Sequence, residues 1–132
     1  MAVCRPLPKG RQARVIGVAI TTKNRHDLLK KALTYHDKHW HGIGALIVVD
    51  DGSDDPVQLP DWVGAVKPKL IRHEQSMGIS AAKNRCLEAL MAEPNCDHFF
   101  LFDDDSWPIC DGWHQPYTTS PEPHLQANYA PA

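Results

Sequence analysis

His98 to Pro108 reads HFFLFDDDSWP. An aromatic and apolar run passes without a break into three consecutive carboxylates, Asp103, Asp104 and Asp105. A short continuous apolar run bounded by turn residues reads as a strand buried on both faces. The stretch is therefore expected to be a rigid core strand with a polar tip. Side chains alternate along a strand, so Asp103 and Asp105 are expected to share one side while Asp104 faces another.

Working back from this strand, SAAKNRCLEALMAE (80–93) places Ala82, Cys86, Leu87, Leu90 and Met91 on one helical face. Ser80 is the expected N-cap and Pro94 the stop. KLIRHE (69–74) reads as a short strand, and VQLPDWVGAVKP before it as a loop with at most one helical turn. ALIVVD (45–50) is a buried strand broken by the turn chemistry of DGSDDP. RVIGVAI (14–20) is the first strand, and TTKNRHD after it suits a turn and a helix N-cap. LLKKALTYHDKHW then has helical spacing, with Gly42 and Gly44 expected to end that helix.

The order is β-α-β-loop-β-α-β. Continuous apolar strands separated by helices imply an α/β fold, a Rossmann-like, mostly parallel sheet flanked by helices. The expected organisation is a flexible arm over 1–13, a domain over 14–113 and an irregular, proline-rich tail over 114–132.

Bulk properties exclude several classes. The 132 residues suit one core, and 42% hydrophobic with 23% charged residues is an ordinary globular composition. A net charge of -2 argues against a general nucleic-acid binder. No apolar run reaches the roughly 20 residues of a membrane span. The basic N-terminus lacks the apolar centre of a signal peptide, so a cytoplasmic location is expected. Cys4, Cys86, Cys96 and Cys110 show no CxxC spacing, which disfavours zinc, and they are expected as reduced thiols.

In a parallel sheet the carboxyl ends of the strands meet at one edge, where ligands bind. The first strand brings Thr21 and Thr22 there, the second Asp50 and Asp51, and the last Asp103 to Asp105. Carboxylates gathered so closely repel one another unless a cation intervenes. Oxygen-only ligands at an open site suit Mg2+ or Mn2+, which keep waters and bridge to phosphates.

VAITTKNR, LIVVDDGSDD, GISAAKNR and FFLFDDDSWP follow one another in this order. Together they resemble the nucleotide-sugar-binding half of a GT-A fold glycosyltransferase, most similar to family 2. The resemblance covers about Val15 to Trp113. It implies a metal-dependent, inverting transfer of a sugar from a nucleotide-diphosphate donor, UDP-sugar favoured, to an acceptor hydroxyl. It implies that Thr21, Thr22, Asn24 and Arg25 border the nucleotide, that Asp51 bonds the base or ribose with Asp50 beside it, and that Gly78 admits close backbone approach. Lys83 and Arg85 would lie near the base and diphosphate, and Asp104 near the donor sugar. Asp103 and Asp105 would hold Mn2+ or Mg2+ on the diphosphate.

The family usually continues past this strand and supplies a catalytic base from an ED-type motif. No such pair follows Asp105, and Glu122 and His124 are the late candidates. The catalytic residue is thus unassigned, and Asp104, which the resemblance puts near the donor sugar, is the candidate. A homo-oligomer or a partner chain completing the fold is one expectation. A non-catalytic binding or assembly module built on the same half-fold is the alternative.

Overall fold

A computed structural model describes residues 15–59, 61, 64 and 66–121. The arm read over 1–13 and the tail beyond 121 lie outside them. The described elements run β1 (Ile16–Thr22), α1 (His26–Lys38), β2 (Ile43–Asp51), β3 (Lys69–His73), α2 (Ile79–Met91), β4 (His98–Asp103) and the short α3 (Gln115–Thr118). The four strands form one sheet in the order β3-β2-β1-β4. Every pairing is parallel. This is the α/β, Rossmann-like arrangement the sequence implies, with the sheet wholly parallel.

Alternation along the strands divides the core into two layers. Ile16, Val18 and Ile20 of β1 with Leu46 and Val48 of β2 pack against Leu29 and Leu33 of α1. Ala19, Ile47 and Val49 face Ala82, Cys86 and Leu90 of α2 on the opposite side. Both helices are amphipathic and each covers one face, as buried central strands require.

Several local expectations are corrected. β4 is an edge strand, not one buried on both faces. Phe100 and Phe102 lie under Trp113, with ring centroids 4.8 and 5.4 Å away. Phe99 and Leu101, on the other face, remain 38% and 39% exposed, because α2 lies mainly over β1 and β2. The N-cap of α2 is Gly78 rather than Ser80, which lies inside the helix. α1 starts at His26 behind Arg25 with no side-chain cap, and its polar N-terminal neighbours bond elsewhere. α1 ends before Gly42 and Gly44, and Gly44 lies within β2. Cys110 is disulfide-bonded, so the expectation of reduced thiols does not hold there. Cys86 and Cys96 are free.

The segment after β4 folds back over the α1 face of the sheet. Trp113, His114 and Thr118 are buried. Trp107 stacks on Tyr35 at 5.5 Å. Asp111 accepts a bond from His39 Nδ1 at 3.0 Å, which ties this segment to the C-terminus of α1. His36, fully buried against the edge of Phe102 at 4.7 Å, has no partner for either ring nitrogen among the described residues. Burial pushes its pKa down to about 4.

Candidate functional site at the carboxyl edge of the sheet

The order β3-β2-β1-β4 reverses direction at β1, since β2 lies on one side of it and β4 on the other. Crevices form at such switch points, beyond the strand C-termini. An open cleft of about 490 Å³ lies there, lined by Thr21, Thr22, Lys23, Arg25, Asp51, Ser76, Gly78, Ile79, Ala82 and Asp103 to Asp105. Three strand tips and the N-terminal end of α2 thus converge.

Two turns are bolted together behind the cleft. Asn24, at φ 54, donates its backbone N–H to Ser53 Oγ at 2.8 Å. Its Oδ1 accepts from the Asp54 N–H at 2.8 Å. Asparagine tolerates this left-handed conformation better than most residues. Asn24 therefore serves the scaffold and does not line the cleft. Asp50 is fully buried and equally internal. It accepts from the Ser53 and Val57 N–H groups at 3.0 and 3.1 Å and from Arg72 Nη1 at 2.7 Å.

Asp51 points the other way, toward the cleft and α2. One of its oxygens accepts from His73 Nδ1 and the Met77 N–H, both at 2.9 Å. The other accepts from Ser76 Oγ at 2.9 Å and the Gly78 N–H at 3.1 Å. Burial alone would push this carboxyl up. The donors from Met77, His73, Ser76 and Gly78 outweigh that and hold it down to about 2. A carboxylate has about four acceptor positions, so the side chain is saturated. It latches the 76–78 loop to the tip of β2 and sets negative charge at the start of α2, where the helix dipole favours it. Gly78 adopts φ 94, a conformation suited to glycine, and a Cβ there would meet nothing within 4 Å.

β4 ends at Asp103, so alternation does not extend to Asp104 and Asp105, and the three aspartates line one cleft but differ in burial. Asp104 is buried. Its Oδ2 accepts from Thr22 Oγ1 at 2.9 Å and its Oδ1 from Arg25 Nη1 at 3.2 Å. Asp103 and Asp105 have side chains 60% and 58% exposed. Asp103 Oδ1 accepts from Lys83 Nζ at 2.7 Å and from Thr21 Oγ1 at 3.3 Å. The Lys83 ammonium beside it holds this carboxyl below the usual range. Lys83 also donates to the Phe102 carbonyl at 3.1 Å. Arg25 reaches Asp105 at 3.6 Å.

Of the residues singled out from sequence, Thr21, Thr22, Arg25, Asp51, Gly78 and Asp103 to Asp105 line one cleft, and Lys83 reaches it through Asp103. Asn24, Asp50 and Arg85 do not line it. Arg85 lies beside Glu88 at 3.6 Å along the exposed side of α2. His73 and Ser76 are contributors that the sequence reading did not single out. The signal for them was position alone, since β3 ends at the same edge as the other strands. Among the described residues, no group of three or more His, Cys, Asp or Glu is placed to hold a metal by itself.

No family model matches the chain. It is similar to an uncharacterized glycosyltransferase of Acanthamoeba polyphaga mimivirus, with 34% identity over 114 residues. The alignment takes in 80% of this chain, which spans 43% of that relative. Among the described residues no helix is long and apolar enough to cross a membrane.

Proposed function

We propose that this chain is the donor-binding part of a GT-A, family 2-like glycosyltransferase. It would bind a nucleoside-diphosphate sugar, UDP-sugar favoured, with Mn2+ or Mg2+. The observation carrying this reading is the convergence of Thr21, Thr22, Asp51 and Asp103 to Asp105 on one switch-point cleft. The relative's name points the same way.

The donor set suits such a cation. Asp103 and Asp105 offer open oxygen ligands on the same cleft. Mg2+ commonly takes one or two carboxylates and completes its shell with phosphate oxygens and water. When bound, the cation would offset the charge that builds on the departing nucleoside diphosphate. Lys83 and Arg25 would add positive charge beside the same diphosphate, while Gly78 and Ile79 leave backbone room at the opening of α2. Asp104, held by Thr22 and Arg25, would position this wall against the donor sugar. In the reaction, an acceptor hydroxyl oxygen bonds to the anomeric carbon as the carbon–phosphate-oxygen bond breaks, with inversion.

The engagement of Asp51, Asp103 and Asp104 leaves the base for that hydroxyl unassigned. Asp51 is saturated, both Asp104 oxygens are held, and Asp103 is paired with Lys83. This favours completion of the acceptor side by further chain, a partner or a second copy. It also keeps a second reading in view, a non-catalytic nucleotide-sugar-binding or assembly module on the same half-fold.

Calorimetry with UDP and other nucleoside diphosphates, with and without Mn2+, separates these ideas. Metal-dependent binding that Asp105→Ala abolishes supports the donor site. No binding of any nucleotide would end the donor-site proposal. Binding without sugar transfer in the presence of acceptor candidates would favour the module.

A further inference from the structure

The cleft gathers Asp51, Asp103, Asp104 and Asp105 on its walls, yet the two open carboxylates are each faced by a cation of the chain itself. Lys83 Nζ lies 2.7 Å from Asp103 Oδ1, and Arg25 Nη1 lies 3.6 Å from Asp105 Oδ2. A metal held by Asp103 and Asp105 would share those carboxylates with Lys83 and Arg25, within close range of both cations. An ammonium and a divalent cation cannot both sit on one carboxylate oxygen at close range without strong like-charge repulsion. The two modes are therefore in competition.

The geometry differs at the middle aspartate. Asp104 is buried and carries Arg25 and Thr22 on separate oxygens, an arrangement costly to break because it would strand a buried charge. The outer pairs are exposed at Asp103 and Asp105, and exposed ion pairs contribute little and exchange readily.

We propose that Lys83 and Arg25 are exchangeable counter-ions. They hold Asp103 and Asp105 as in this structure and yield them to a divalent cation. They then serve as cationic partners of the diphosphate that arrives with it. Lys83 has the reach for this role: its ammonium sits on a flexible stem with three donors, and one of its present partners is only the Phe102 carbonyl. Arg25 moves less, since Asp104 retains it. The consequence is linkage. Cation alone binds weakly because it must displace Lys83. Cation and nucleotide bind with positive cooperativity, because the displaced ammonium gains the phosphate oxygens in place of Asp103.

This inference rests on the donor-site reading, and the experiment separates the two. Mn2+ binding is followed by the loss of the free-ion electron paramagnetic resonance signal, with and without UDP, on wild type, Lys83→Gln and Lys83→Arg. In wild type, UDP is expected to tighten Mn2+ binding by about 5- to 50-fold, the usual range for coupled sites. Lys83→Gln is expected to tighten binding of Mn2+ alone severalfold, to weaken UDP and to shrink the coupling. Lys83→Arg restores the wild-type order, which guards against a variant that merely folds poorly. Unchanged or weaker Mn2+-alone affinity in Lys83→Gln overturns the exchange. Absence of UDP binding in wild type overturns the donor-site reading instead, while the comparison of Mn2+ alone still decides whether Lys83 and the metal compete.

Discussion

Replacing Asp51 with asparagine keeps the shape of the side chain and removes its charge and one of its acceptors. The present carboxylate receives four donors, two of them the backbone N–H groups of Met77 and Gly78. An asparagine offers one oxygen, so whichever way it turns its NH2 faces a backbone N–H. One unsatisfied buried donor costs about 1–3 kcal/mol, and a lost bond to a charged group about as much. The acid side gives an independent figure. A carboxyl held at about 2 rather than 3.8 corresponds to about 2.5 kcal/mol at 1.36 kcal/mol per unit. Both routes lead to a loss of about 2–4 kcal/mol for Asp51→Asn at pH 7.

The sign with pH follows from the depressed value. The folded state holds its proton less tightly than the unfolded chain, so the stabilisation is complete above about pH 4 and fades as pH falls toward 2. Urea unfolding of wild type and Asp51→Asn at pH 7 and at steps from pH 4 to 2 measures both effects. The variant should lose stability at pH 7 and lack this part of the acid dependence. Nucleotide binding should fall with it, because the Ser76–Gly78 wall of the cleft is released. A loss below about 1 kcal/mol with an unchanged acid profile would show that Asp51 is not the latch described here.

Asp104→Asn and Asp105→Asn should separate by burial: the first loses about 1–3 kcal/mol through its partners Thr22 and Arg25, while the second stays within about 0.5 kcal/mol by thermal melting and loses cation-dependent nucleotide binding. Gly52 lies at φ +70, and a Cβ there would collide with the Ser76 backbone and lie 2.8 Å from the Gln75 carbonyl carbon. Gly52→Ala should therefore cost about 2–4 kcal/mol in urea unfolding. His36 is buried neutral with a pKa lowered to about 4 from 6.5, so the unfolded chain takes up the proton first. Stability should be complete above about pH 6.5 and fall by about 3 kcal/mol as pH drops toward 4. His36→Leu should flatten that slope and raise stability at pH 7 by about 1 kcal/mol or more, since it removes two unpartnered ring nitrogens.

The elements of the fold were legible because their signals are local. Ile16 to Ile20, Leu46 to Val49 and the spacing of Ala82, Cys86 and Leu90 each declare a buried face through periodicity. The strand–helix alternation then leaves the parallel, right-handed arrangement as the natural solution. The turn residues Asn24, Gly52 and Gly78 were legible for a similar reason, since φ of 54, 70 and 94 suits few other side chains. Ser80 misled because a capping residue at the right spacing is a local preference, and here Gly78 starts the helix with Asp51 bonded to its N–H from another strand.

Sequence alone determined which strand tips carry carboxylates and hydroxyls. Tertiary structure decided what each of those groups can do. Asp50 and Asp51 are adjacent and chemically identical, yet one faces Arg72 and Val57 inside the protein and the other Met77 and Gly78 at the cleft. The partners of Asp104 arrive from 79 and 82 residues away, a separation at which no periodicity speaks. The apolar pattern of β4 likewise could not reveal an edge, because strand order depends on how the crossovers pack and not on the residues of the strand itself.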